Sequence, residues 1–172
     1  MIEKEHILEV LEKAKKAIQK EDSVELRELS NQTVHSASIS QDIESILVAV
    51  IIYSMSKILE RTDYKKYSSW NNFYSSFMMH LEKAISSLRN NDESRFVYEL
   101  RKIRKDISGL SGNFKKHIKE VFEKASISKA SRIYEHGISM EQTAKLLGIS
   151  IWELAEYAGQ TGIADVNLSV TM

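Results

Sequence analysis

The side chains that could do chemistry in this chain are few and scattered. Its five histidines (His6, His35, His80, His117 and His136) never pair at the i, i+3 or i, i+4 spacings of a metal-binding helix, so no metal site is expected. There is no cysteine, which removes thiolate nucleophiles and disulfides together. No glycine-rich phosphate loop, dinucleotide-binding turn or nucleophile elbow occurs, and no cofactor is expected. Gly109-Leu110-Ser111-Gly112 reads as a hinge between helices, and Met78-Met79-His80 as packing beside a core stripe. One run remains with a phosphate-chemistry flavour, Ser30-Asn31-Gln32-Thr33-Val34-His35, with Arg27 one helical turn before it. An arginine can grip a phosphate through two parallel hydrogen bonds.

That run is similar to the Arg-Asn-x-x-x-His motif of HEPN helical-bundle ribonucleases. The resemblance implies an arginine and a histidine facing a scissile phosphate, usually across a dimer interface. Here Ser30 stands where the arginine belongs, so Arg27 would have to replace it beside Asn31 and His35. The alternative, and the one preferred on the residues, is that His35 is an ordinary polar residue near a helix end and the protein is not an enzyme.

A second motif lies near the C-terminus. From Ser126 the sequence reads as three short helices: Ser128 to His136 closed by Gly137, a second from Ser139 to Leu147, and a third from Ser150 to Gly159. Ser139-Met140-Glu141-Gln142 and Ser150-Ile151-Trp152-Glu153 both have capping-box form. Ala144, Gly148 and Leu154 sit where a helix-turn-helix needs a small residue, a turn glycine and an inner apolar residue, with Leu147, Ile149 and Tyr157 supporting them. The run from Ala144 to Leu154 resembles the C-terminal units of small prokaryotic antitoxin-like families. This resemblance implies a regulatory protein working through that unit.

Charge patterning separates the roles such a unit could have. Net charge is zero, yet from Arg95 to Arg132 there are eleven Lys and Arg against four acids, and from Ile133 to Met172 one base against five acids. The outward positions of the third short helix would be Ser150, Ile151, Trp152, Ala155 and Glu156, and no Lys or Arg occurs from Leu146 to Met172. DNA affinity comes largely from neutralised phosphates, so this surface alone suits DNA poorly. Ser150, Ile151, Trp152 and Glu156 read better as a contact for a partner protein or for self-association. The other reading is that Ile151 and Trp152 pack on the bundle. A DNA-binding regulator is the alternative function, drawing its phosphate contacts from Lys115, Lys116, Lys119, Lys124, Lys129 and Arg132; the preferred reading of this basic belt is a solvated outer face of amphipathic helices.

The elements that carry these residues read as helices throughout. Proline is absent, and none of the six glycines precedes Gly109, so the first hundred residues lack the strongest chain breakers. Ile7, Leu11, Ala14 and Ile18 mark a first amphipathic helix, and Asp22 with Glu25 caps a second. The stretch 33–41, small and polar, reads as a frayed end or loop. Residues 43–59 are apolar nearly all round and call for a central buried helix, since no strand partner exists. Further stripes run through Trp70, Phe73, Phe77, Leu81 and Leu88, through Phe96, Leu100, Ile103 and Ile107, and through Phe114, Ile118, Val121 and Phe122. The expectation is an all-α protein: a bundle of about five helices over 1–125, a helix-turn-helix-like unit over 126–163 and a tail over 164–172. No apolar run reaches the ~18 to 20 residues of a membrane span. The charged start and cysteine-free composition fit a cytoplasmic protein.

Overall fold

The computed structural model describes residues 4–61, 63–135 and 137–161. The tail expected over 164–172 lies outside them. The protein is all-α, a helical bundle, and the described residues contain no strand. Eight α-helices follow in order: α1 (Lys4–Gln19), α2 (Ser23–Ser40), α3 (Ile43–Glu60), α4 (Trp70–Arg89), α5 (Glu93–Leu110), α6 (Phe114–Lys124), α7 (Gly137–Leu147) and α8 (Ile151–Thr161). Short 3-10 turns occur at Tyr64–Lys66 and Arg132–Tyr134. Six α-helices, rather than about five, precede residue 126.

The core is organised around α3. Every residue from Ser45 to Ser56 is buried, and α3 packs on α1, α2, α5, α6 and α7. One apolar cluster runs through the whole molecule, from Ile7 on α1 to Ala158 on α8. The C-terminal helices therefore share the bundle's core. Two buried polar side chains show how such groups are partnered inside. Glu99 is fully buried on α5 between His80 Nδ1, 3.2 Å away on α4, and Arg95, 3.4 Å away. His117 bonds Ser54 Oγ at 3.0 Å against the Tyr53 ring, and burial holds its imidazole below the ordinary value near 6.5.

Helix ends explain why counting glycine and proline undercounts the helices. Glu21, Gln41 and Asn91 take left-handed backbone (φ 55°, 52° and 59°), and each is followed by an aspartate that caps the next helix. The Asp22, Asp42 and Asp92 carboxylates accept the backbone N–H of Glu25, Ser45 and Arg95 at 3.1, 2.8 and 3.1 Å. Behind two of these residues the Schellman bond closes the preceding helix, from Asp22 N–H to Ala17 O (2.8 Å) and from Asp92 N–H to Ser87 O (2.9 Å). A non-glycine residue in this conformation costs about 1–2 kcal/mol, which the paired caps offset.

Two stretches differ from expectation. Residues 33–40 are helical, not frayed: Thr33, Val34, Ala37 and Ser40 are buried, so their small side chains are the inner face of α2, which packs closely on α3. Nor does the stretch from Ser128 form a helix of its own. The Ser131 and Ser128 hydroxyls accept the backbone N–H groups of Ser128 (3.0 Å) and Ala130 (3.3 Å), competing with helical bonds and leaving only the 3-10 turn at Arg132–Tyr134. α7 starts at Gly137, two residues before the predicted cap, so that glycine opens a helix instead of closing one. Likewise α8 continues past Gly159.

Candidate functional site

α8 is seated from within. Leu154 and Ala158 are fully buried, Tyr157 meets the Phe122 ring edge-on at 6.3 Å, and the Tyr134 hydroxyl donates to Leu154 O at 2.8 Å. Ala144, Leu147 and Ile149 are buried beneath the turn. Gly148 takes φ 76°, and Ile149 N–H closes α7 on Ala144 O at 3.0 Å. The capping box at Ser150 forms as the sequence predicts: Glu153 N–H donates to Ser150 Oγ and Ser150 N–H to Glu153 Oε1, both at 3.0 Å. Lys115 Nζ lies 3.1 Å from Glu153 Oε2. The Ser150 N–H and Lys115 together hold the Glu153 carboxyl below its usual range.

This rigid start presents the residues expected to meet a partner. Trp152 is 85% exposed and Ile151 39%, with Ser150 and Glu156 exposed beside them. Trp152 therefore does not pack on the bundle. The chain's other tryptophan, Trp70, is 8% exposed among Tyr64, Phe73 and Tyr74.

The candidate phosphate contacts do not share one environment. Lys116, Lys124 and Lys129 are exposed and Lys119 half-buried, but Lys115 is paired with Glu153. Arg132 borders a recess of about 180 Å³ with Asp42, Glu44 and Glu135, an acidic setting that suits an anion poorly. On α2, Arg27, Asn31 and His35 are all exposed, while Ser30, in the arginine's place, is buried. A solvent-facing stripe on one helix is not by itself a catalytic cleft.

Sequence reasoning missed a different cationic face, on α5. Two of its three acids turn towards α4: Glu99 meets His80, and Asp106 accepts from Ser76 Oγ at 2.8 Å. Arg101 and Arg104 point the other way. With Val97 of α5 and Gln142, Lys145 and Leu146 of α7, Arg101 lines a groove of about 240 Å³. Arg104 lies against the α7–α8 turn, so close that a Cβ on Gly148 would strike its guanidinium. Its Nε is buried without a hydrogen-bond partner, and burial and then the nearby Arg101 push its pKa down. One turn before Arg101, the exposed Tyr98 ring has Arg95 at 5.0 Å and Lys102 at 5.2 Å from its centroid. The signal was there in the helical phase of 95–106, which total charge over the segment conceals.

Among the described residues, no group of three or more His, Asp or Glu is placed to hold a metal ion, and no helix is long and apolar enough to cross a membrane. No known family model, curated protein or solved structure matches the chain.

Proposed function

We propose that the protein is a non-enzymatic regulatory or adaptor protein that docks a partner protein on the tip of α8, as the antitoxin-like resemblance implies. The observation that carries this is the 85% exposure of Trp152 at the start of a helix whose opposite face is locked into the core. A large indole held in water by a well-packed helix does nothing for the fold, and tryptophan is among the residues that most often dominate protein interfaces. Ile151 adjoins it and Glu156 lies one turn beyond, so the fitting partner surface is an apolar pocket with a basic rim. Duplex DNA fits this tip poorly, because no cation occurs from Leu146 onward.

The test uses quantitative affinity capture from the native host with wild-type protein and Trp152→Ala as paired baits. A genuine partner is depleted with the variant, and its affinity for the purified variant falls by at least ~2 kcal/mol, the scale of an interface hot spot. In a Trp70→Phe background, Trp152 emission also shifts to the blue on binding. Partner affinity unchanged by Trp152→Ala would remove α8 as the docking surface. If the wild-type chain self-associates and the variant does not, the occupant is a second copy.

A further inference from the structure

The α5–α7 face carries an inference independent of the α8 tip. Where a recess of this protein gathers charges of both signs, ion pairs can settle most of them. The cavity of about 410 Å³ between α1 and α4 shows it: Arg89 pairs with Glu12 at 2.6 Å and Lys15 with Glu82 at 3.1 Å across its mouth. The α5–α7 groove lacks that compensation. Among the described residues, no carboxylate forms an ion pair with Arg101, Arg104 or Lys145, and Arg101 and Arg104 lie close enough to repel one another. A half-buried guanidinium with no counter-charge is costly, and an anion beside it offsets that cost.

The aromatic neighbour narrows the class of anion. Tyr98 is 44% exposed and stands three residues, about 4.5 Å of helix rise, before Arg101. An exposed ring with two long cationic side chains over it, next to a cationic groove, takes a base on the ring once one of those side chains swings aside to the phosphate, and a phosphate in the groove. A phosphate or an acidic peptide alone would use the cations and leave Tyr98 idle. Duplex DNA keeps its bases stacked inside and would also leave it idle.

We infer that the face formed by α5 and α7 binds single-stranded nucleic acid, with Arg101, Arg104 and Lys145 holding phosphate and Tyr98 stacking on a base.

The experiment is fluorescence anisotropy on the full chain with labelled single-stranded RNA and DNA of about 12 nucleotides, within the ~4–16 of known single-strand sites. A duplex of the same length is run beside them, at about 50 mM and about 200 mM salt. Arg101 and Lys145 are exposed, so Arg101→Ala/Lys145→Ala is expected to fold; helicity by circular dichroism checks it. Single strands bind more tightly than the duplex, and the double variant loses at least about tenfold in affinity and about 1.4 from the salt slope. Tyr98→Ala loses roughly tenfold, and Tyr98→Trp retains binding. Lys116→Ala/Lys124→Ala, exposed cations on α6, changes affinity less than about twofold. The inference is overturned by absence of binding at low salt, by preference for the duplex, by an inert Tyr98→Ala, by equal losses in the α6 control, or by polyglutamate competing as well as nucleic acid.

Discussion

α8's tip and the α5–α7 face both border α7, and each leaves a different term of the folding balance unmet. At the tip the charge is settled internally, Lys115 on Glu153 and Glu153 on the Ser150 N–H, while a tryptophan and an isoleucine remain in water. On the α5–α7 face the apolar side chains Val97 and Leu146 are half-covered, while Arg101, Arg104 and Lys145 have no carboxylate partner among the described residues. Exposed apolar surface with an acidic rim at Glu156 suits a protein pocket; uncompensated cations around a small groove suit an anion. The contrast shows that net charge and mean hydropathy, both unremarkable here, hide local imbalances of opposite kind.

The largest expected effect divides the two sides of α8. Leu154 is fully buried, and Leu154→Ala should cost about 2–5 kcal/mol of stability in urea unfolding followed by circular dichroism. Trp152→Ala, two residues away, should change stability by no more than about 0.5 kcal/mol, as for a surface site. Comparable losses would mean that the indole supports the fold, and the comparison between the two faces would collapse.

The next effect sits where the faces meet. Gly148 has φ 76° and lies against Arg104, so Gly148→Ala brings both backbone strain and a clash. The strain alone is worth about 1–2 kcal/mol. Repeating the substitution with Arg104→Ala should recover part of the loss, a coupling of about 0.5–3 kcal/mol for residues in contact. Strict additivity would mean that the guanidinium yields freely, and Arg104 would not link the groove to the turn.

How far the sequence foretells these features depends on their range. The α3 core, the Asp22 cap, the Ser150–Glu153 box and the helix break after Leu110 were all legible, because each rests on neighbours within a turn or on an unbroken apolar run. The helical state of 33–40 was not, since small residues such as Ala37 and Ser40 look polar and weak until α3 is packed on them. The left-handed breaks at Glu21, Gln41 and Asn91 carry no glycine to announce them. Trp152 was legible as an outward position of the third short helix, beside a second reading in which it packs on the bundle, and its 85% exposure removes the second. The Arg104–Gly148 contact joins residues far apart in the chain, and no local pattern contains it.

The smallest effect tests whether the charge at the α8 tip is settled. Glu153→Gln keeps the shape of the capping box but removes the charge facing Lys115, and at neutral pH it should cost less than about 1 kcal/mol, as for a surface pair. The sign follows from the lowered pKa of Glu153: the unfolded chain holds its proton at a pH where the folded chain has released it. The stabilisation is therefore complete above the ordinary value of 4.5 and fades as pH falls through the lower folded value. The gap between wild type and Glu153→Gln in urea midpoint should close over that acidic window, and it should narrow at high salt. A gap that is absent at neutral pH would leave Lys115 and Glu153 uncommitted to each other. Lys115 would then join the surface around Trp152, and the tip would offer its partner a mixed charge instead of an acidic rim.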